Sequence, residues 1–165
     1  MCKEAGLQFI YHNHKDEFLS IEGEVVYDFL LTNTNPEFVY FQSDLYWMVV
    51  AEINPVTYFN KYPKRFISWH VKDYKELGKS GKIDFNKIFL SAEKAGLKYV
   101  IAEVEDYTYP TITSVSLAWE YLYHQLLIFV PCPLLWLVMS QNNPLTNLFL
   151  ILILYSLFQR YYNRF

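Results

Sequence analysis

The chain has 165 residues, with 14 basic and 17 acidic side chains, a net charge of −3 at pH 7 and 19% aromatic residues. This length suits one domain, and the mildly acidic balance excludes the clustered basic surface that nucleic-acid binding requires. The two cysteines, Cys2 and Cys132, are too few for a disulfide framework or a cysteine metal site, so they leave the redox compartment open.

Charge is distributed unevenly along the chain. Only Arg160 and Arg164 are charged beyond Glu120, so the first 122 residues hold 12 basic and all 17 acidic groups. We therefore divide the chain into a globular part, residues 1–122, and an apolar tail, residues 123–165. The first residues lack the apolar run of a secretory signal and are typical of the last turn of a helix that stops at Gly6.

Strand-like and helix-like segments alternate through the globular part. In chain order, the pattern predicts a strand at 7–13, a helix at 27–32, a strand at 38–43, a helix at 54–62, a strand at 65–71, a helix at 84–96, a strand at 98–104 and a helix at 113–121. Asn54 followed by Pro55, Asp84 and Gly96 are the capping signals that bound two of these helices. Such alternation implies parallel strands joined by right-handed crossovers, which is an α/β fold.

Each predicted strand has an ionisable residue near its carboxyl end, namely His12, Asp44, His70 and Glu103. Four βα units fit either a doubly wound sheet or half of a (β/α)₈ barrel. In a barrel these strand ends converge on one mouth, where the active site lies, whereas an open sheet spreads them along an edge. The pattern therefore favours a partial TIM barrel.

Two imidazoles and two carboxylates on neighbouring strands indicate a divalent-metal site. Mixed nitrogen and oxygen ligands suit Mn, Co, Zn or Fe better than an all-oxygen calcium cage. Taken singly, each residue has a simpler interpretation, because a buried histidine is often a hydrogen-bonded core residue and Asp44 could cap a helix. The coincidence on four successive strands favours the metal site.

Four motifs in order carry a resemblance to a known family. They are GLQFIYHNHKDEF, SDLYW, WHVKD with a later G-x-x-G-x-ID-F, and AEVE. Together they resemble the second half of the sugar phosphate isomerase/epimerase family, part of the xylose isomerase-like TIM-barrel superfamily. The resemblance covers about residues 3–122.

This resemblance implies one divalent ion (Mn, Co, Zn or Mg), with Asp44, His70 and Glu103 as ligands. His12 falls where the family has a glutamate, so this chain departs from the epimerase pattern, although His12 or His14 could still bind the ion. Family members abstract a proton next to a carbonyl of a sugar or keto-sugar. Here Glu103 would be one base and His12 or His14 its partner, an arrangement that also fits a keto-sugar lyase or dehydratase.

Residues beside the predicted ligands are candidates for substrate contacts. Lys72 and Asp73 could bind sugar hydroxyls, although a solvated loop pair explains them equally well. Tyr46 and Trp47 could stack on a sugar face, although aromatic residues at a helix start often serve packing instead. Glu105 and Asp106 are expected to face solvent.

The resemblance also implies that the chain is a fragment. A whole barrel takes about 250 residues, and this chain would begin at the helix before the fifth strand. The first and last predicted strands would then be open edges that invite self-association. A small sugar-derived molecule is the expected partner, and nucleic acid is not. A repair endonuclease of the same superfamily is disfavoured by the acidic balance.

The tail contains two apolar runs, 126–139 and 145–158, separated by SQNNP. Each is shorter than the roughly 20 residues that cross a bilayer as a helix. One interpretation is a helical membrane hairpin that anchors a degenerate sugar-binding lobe without catalysis. The other, which we favour, is a read-through or frame-shifted segment. Localisation therefore stays open between cytoplasmic and membrane-associated.

Overall fold

The computed structural model describes residues 2, 4–129, 134–137 and 152–153. Its strands in chain order are β1 (Phe9–His12), β2 (Ser20–Ile21), β3 (Glu24–Val25), β4 (Val39–Asp44), β5 (Ser68–Lys72), β6 (Tyr99–Glu103), β7 (Leu134–Leu137) and β8 (Leu152–Ile153). Its helices are α1 (Val26–Asn33), α2 (Leu45–Val50), α3 (Pro55–Lys61), α4 (Phe85–Phe89), α5 (Ala92–Ala95) and α6 (Thr111–Phe129), with a 3₁₀ turn at Asp16–Phe18.

The main sheet runs in the order β1-β4-β5-β6-β7-β8, and β2 pairs with β3 in a separate hairpin. Pairing is parallel from β1 through β7, and β8 is antiparallel to β7. A doubly wound sheet reverses its strand order at a switch point, whereas β1, β4, β5 and β6 follow one another in a single direction. The predicted α/β fold, a partial TIM barrel, is confirmed.

Local capping explains where several helices begin. The side chains of Asp44, Asn54 and Asp84 accept backbone N–H bonds at the starts of α2, α3 and α4. Gly96 ends α5 with a left-handed φ of 84°, which glycine adopts without a Cβ penalty. The predicted helix at 84–96 is therefore two short helices, broken at Leu90–Ser91.

The two faces of the sheet have different surroundings. One face packs under the helices, where Trp69 stacks on Phe59 with ring centroids 4.9 Å apart and Val71, Val100 and Ala102 are fully buried. The other face is the inner, concave face of the partial barrel. Residues two apart on a strand share a face, so polar side chains of successive strands line up on that inner face.

The carboxy-terminal segment differs from the predicted helical tail. α6 continues without interruption across position 122, and Leu122 and Leu126 are buried in the core. Beyond α6 the described segments are the short strands β7 and β8, because the edge of β6 offers unpaired N–H and C=O groups that β7 satisfies. Most of the two apolar runs lies outside the described residues, and the boundary at 122 stays a prediction.

Membrane crossing needs a helix that is both long and apolar. None of the helices in the described part of the chain meets both conditions. The predicted membrane hairpin falls mainly on residues outside that part.

Candidate metal centre at the carboxyl ends of the strands

Three ligand-type side chains meet at the inner face of the sheet, from the carboxyl ends of β1, β4 and β5. His12 Nε2 lies 2.9 Å from His70 Nδ1 and 3.2 Å from Asp44 Oδ2. His70 Nδ1 lies 3.0 Å from the same Asp44 oxygen. One donor atom from each residue thus falls within a single small cluster.

Strand register brings these residues together. Asp44 is directly opposite His70 in the β4–β5 pairing, and His12 is opposite Gln42, two residues before Asp44 on the same face. The Asp44 side chain is fully buried, with Oδ1 accepting the Trp47 N–H at 2.9 Å as the N-cap of α2. Capping therefore occupies Oδ1 and leaves Oδ2 facing the two imidazoles. Asp44 can thus be both a helix cap and a metal ligand.

Charge complementarity governs the protonation of the cluster. Burial would raise the pKa of Asp44, but hydrogen bonds from His12 and His70 lower it to about 2. Burial would lower the pKa of His70, but its bonds to Asp44 and Glu103 raise it to about 9. Without an ion, the site therefore holds a positive imidazolium between two carboxylates.

Glu103 lies on the other side of the His70 ring. Its Oε2 accepts a bond from His70 Nε2 at 2.7 Å, and its Oε1 is 3.8 Å from Lys72 Nζ. Burial would raise the pKa of Glu103, but the bond from His70 is the main cause that lowers it. Lys72 also donates to Glu105, and only 5% of the Lys72 side chain is exposed. Lys72 is thus enclosed by two carboxylates instead of standing in a solvated loop.

The three-atom cluster of His12, Asp44 and His70 fits a divalent ion. Two imidazoles and a carboxylate are ligands for Zn, Mn, Co or Fe. Donor atoms bound at about 2.1 Å and at right angles lie about 3.0 Å apart, while tetrahedral angles separate them by about 3.4 Å. The observed separations of 2.9 to 3.2 Å match the right-angled arrangement. The His12 side chain is 29% exposed, so the centre is open on one side.

An aromatic wall borders the centre. The ring of Trp47 is 5.8 Å from that of His14 and 4.9 Å from that of Tyr46, and Tyr46 is 5.0 Å from Tyr74. Lys72 Nζ lies 5.1 Å from the rings of both Tyr46 and Trp47. Tyr46 and Trp47 are only partly buried, so their exposed surface is available to a ligand.

Two carboxylates in the loop after β5 accept hydrogen bonds from backbone N–H groups. Asp73, which is 3% exposed, accepts bonds from the N–H groups of Tyr74 and Ser80. Glu76 accepts from the Thr108 N–H and the Ser114 hydroxyl, each at 2.8 Å, and so joins the loop after β5 to the loop after β6. A substrate contact for Asp73 stays a prediction, and its carboxylate is already committed to the loop.

Apart from Asp73, the predicted site residues fall into two groups, the cluster with its two neighbours and the rim. His12, Asp44 and His70 form the cluster, and Glu103 and Lys72 adjoin it through His70 and through each other. His14, Tyr46 and Trp47 form the rim, with the His14 ring 4.9 Å from that of His12.

Sequence reasoning missed three residues that support the site: Glu76, Glu105, and Asn13, whose side-chain oxygen accepts the Asp44 N–H. Glu105 pairs with Lys72 and is not simply solvated. Its spacing of two from Glu103 was the available signal, since it predicts the same face.

The fold and the site together define the class of protein. The chain is part of a parallel α/β barrel with an imidazole–carboxylate cluster at the carboxyl ends of its strands, which is where TIM-barrel active sites lie. Comparisons with known proteins agree with this class. Two crystal structures of a sugar phosphate isomerase/epimerase from Parabacteroides distasonis are similar, at 30% and 33% identity and TM-scores of 0.67 and 0.65. Each match covers 73% of this chain and 48% of the solved one.

Curated relatives point to the same superfamily. Inosose dehydratase of Lacticaseibacillus casei is 30% identical over 96 residues, which are 58% of this chain and 32% of the relative. The enzyme of strain BL23 gives the same identity over 31% of its length. No family model matches the chain.

The resemblance to the sugar phosphate isomerase/epimerase family, with its xylose isomerase-like TIM-barrel fold, is therefore confirmed. The chain spans about half the length of the solved structures and about a third of the curated relatives that it matches.

Proposed function

We propose that this chain carries the metal-binding side of a divalent-metal-dependent enzyme that moves a proton next to the carbonyl of a sugar or keto-sugar. The observation that carries the proposal is the triangle of donor atoms from His12, Asp44 and His70, with separations of 2.9 to 3.2 Å. Similarity to sugar phosphate isomerase/epimerase and to inosose dehydratase supports the substrate class. The metal is Mn, Co, Zn or Mg.

Three residues of the chain have separate roles in the proposed proton abstraction. A bound divalent ion would polarise the substrate carbonyl and make the adjacent C–H more acidic. Glu103 is ionised, because the bond from His70 lowers its pKa, and its carboxylate would take this proton. His70 holds that carboxylate by its Nε2 bond, while Lys72 balances its charge. We therefore assign Glu103 the role of the base, and its role as a ligand stays a prediction, because it lies outside the three-residue cluster.

The partner group comes from the carboxyl end of β1 or from the loop that follows it. His12 is partly exposed and stands at the cluster, and the exposed His14 packs edge-on against it. An imidazole can return a proton to the opposite face of the same carbon, which gives epimerisation, or to the former carbonyl carbon, which gives isomerisation. Tyr46 and Trp47 would stack on the apolar face of the sugar and hold it beside these groups.

Dehydration of a keto-sugar is the second candidate, favoured by the similarity to inosose dehydratase. Glu103 would take the proton from the carbon beside the carbonyl, and the imidazole of His14, which is outside the metal cluster, would protonate the hydroxyl that leaves as water. The two candidates share the first step and differ in the product. Epimerisation conserves the mass of the substrate, whereas dehydration lowers it by one water.

Metal binding comes first in the test, because it needs no substrate. The full chain is incubated with Mn²⁺, Co²⁺, Zn²⁺ or Mg²⁺, and retained metal is quantified after gel filtration, with Asp44→Asn as the control. Keto-sugars, their phosphates and inosose are then offered in D₂O, and deuterium beside the carbonyl is measured by NMR. We expect one ion per chain and metal-dependent deuterium incorporation. A folded wild-type chain that retains none of the four ions would refute the proposal.

A further inference from the structure

Asn13 is fully buried between the two histidines of the sequence His12-Asn13-His14. Its Oδ1 accepts the backbone N–H of Asp44 at 3.0 Å and the Tyr27 hydroxyl at 3.2 Å. Its Nδ2 donates to the His14 carbonyl oxygen at 3.3 Å. An amide with both its oxygen and its nitrogen engaged inside the protein is held in one orientation.

The contact with Asp44 extends strand pairing beyond the point where backbone pairing stops. β1 and β4 pair from Phe9 opposite Val39 to His12 opposite Gln42. Asp44 lies two residues past Gln42, where the pairing of the described strands has no β1 residue opposite it. The side-chain oxygen of Asn13 takes the place of a β1 carbonyl and satisfies a buried N–H that would be costly to leave unpaired.

We infer that Asn13 is a positioning residue for the metal centre, which fixes Asp44 relative to His12 by accepting the Asp44 N–H. The inference rests on the metal site proposed above. His12 is the neighbour of Asn13 on β1, and its Nε2 is 3.2 Å from Asp44 Oδ2. The side chain of Asn13 therefore connects the backbone of Asp44 to the end of β1, which carries His12.

The expected consequence of losing this tie is weaker metal binding. Groups that orient metal ligands typically contribute about 10- to 100-fold in affinity. Asn13→Ala removes the acceptor and should weaken binding by that factor.

Tyr27→Phe is the matched control. It removes the other donor to the same oxygen and leaves the bond to the Asp44 N–H intact. The variant keeps the buried ring but removes the hydrogen bond of a buried hydroxyl, so it should lower stability. Its metal affinity should stay near that of the wild type. A general loss of packing would instead affect Tyr27→Phe and Asn13→Ala alike.

The experiment measures Co²⁺ affinity of the full chain by competition with a chromophoric chelator, on variants shown to be folded by circular dichroism. The visible absorption of bound Co²⁺ is recorded as well, since it reports ligand geometry. We expect an altered spectrum and weakened binding in Asn13→Ala only. Should that variant not fold, Asn13→Ser replaces it, because the serine hydroxyl is one bond too short for the same contact.

The outcomes are distinguishable. Wild-type affinity in folded Asn13→Ala, or in its Ser replacement, would overturn this inference and leave the proposed function standing. Equal weakening in Tyr27→Phe and Asn13→Ala would also overturn it, because packing would then explain the effect. A wild-type chain that binds no Co²⁺, Mn²⁺, Zn²⁺ or Mg²⁺ would overturn the proposed metal dependence and this inference together.

Discussion

Glu103 Oε2 accepts a hydrogen bond from His70 Nε2 at 2.7 Å, on the side of the ring opposite to Asp44. His70 thus presents Nδ1 to the cluster and Nε2 to a carboxylate. Metal-binding histidines commonly make this second bond, which fixes the ring and raises its basicity as a ligand. The bond explains how Glu103 can orient the site even when it does not itself contact the ion.

Removal of either cluster histidine should weaken metal binding. We expect His12→Ala and His70→Ala each to lower Co²⁺ affinity by at least about tenfold, because each deletes one of three converging donors. His124→Ala is the matched control, since His124 is exposed on α6. Isothermal titration calorimetry provides the measurement. Unchanged affinity in His12→Ala and His70→Ala would indicate that the ion binds elsewhere on the chain.

Metal affinity should rise with pH between about 6.5 and 9. His70 has its pKa raised from 6.5 to about 9, so in this window its proton must leave before Nδ1 can bind an ion. The expected slope is about tenfold per pH unit, levelling off above pH 9. Glu103→Gln removes a carboxylate that raises this pKa but leaves the three cluster donors in place, so it should move the levelling point to lower pH. A flat profile in the wild type would contradict the assigned protonation.

The same shift predicts how the metal-free chain responds to pH. Because the pKa of His70 is higher in the folded state than in the unfolded state, protonated His70 stabilises the fold. This contribution is complete below pH 6.5, the unfolded pKa, and disappears as the pH rises through about 9. The free energy of unfolding should therefore fall across that interval, by up to about 3 kcal/mol. Urea denaturation with a chelator present measures it. His70→Gln should lack this decrease.

Lys72 and Glu105 should be energetically coupled. Lys72→Met leaves Glu103, which is 10% exposed, beside an unpaired Glu105, and should cost about 1–3 kcal/mol of stability. Glu105→Gln should cost less, because that side chain is 40% exposed. The double variant should recover part of the loss, with a coupling of at least about 0.5 kcal/mol in urea denaturation. Strict additivity would mean that the ion pair has no energetic role.

Glu76 should stabilise the loops beside the site. Glu76→Ala removes the acceptor of the Thr108 N–H and the Ser114 hydroxyl and should cost about 2 kcal/mol. Burial would raise the pKa of Glu76, but these bonds lower it from 4.5 to about 2, so the contribution is present above pH 4.5 and disappears as the pH falls through 2. The exposed Glu120 supplies the control, since Glu120→Ala should change stability by less than about 0.5 kcal/mol.

Two glycines provide a matched test of backbone constraint. Gly96 has φ of 84° and a Cβ added there would lie 2.8 Å from Lys64 Cα, whereas Gly81 has φ of 67° and open space. Gly81→Ala should cost about 1 kcal/mol, from the left-handed backbone alone. Gly96→Ala should cost about 2 kcal/mol or more, because the backbone of Lys64 must also move. Thermal unfolding of both variants measures the difference, and equal losses would contradict the close contact.

Local patterns in the sequence determined the alternation of strands and helices and the position of an ionisable residue at each strand end. Strand periodicity and capping residues act over a few positions, so β4, β6 and α3 lie within one residue of their predicted bounds. α6 was predicted too short, since its continuation to Phe129 depends on packing of Leu122 and Leu126 into the core.

Only the tertiary structure decided how the end-of-strand residues meet. The order of the strands separates a barrel from a doubly wound sheet, and no local pattern encodes it. The position of Glu103 behind His70 and the bond from the Asp44 N–H to Asn13 join residues 33 and 31 positions apart. Such contacts depend on strand register and on the path of each crossover, which is set by the packing of the whole sheet against its helices.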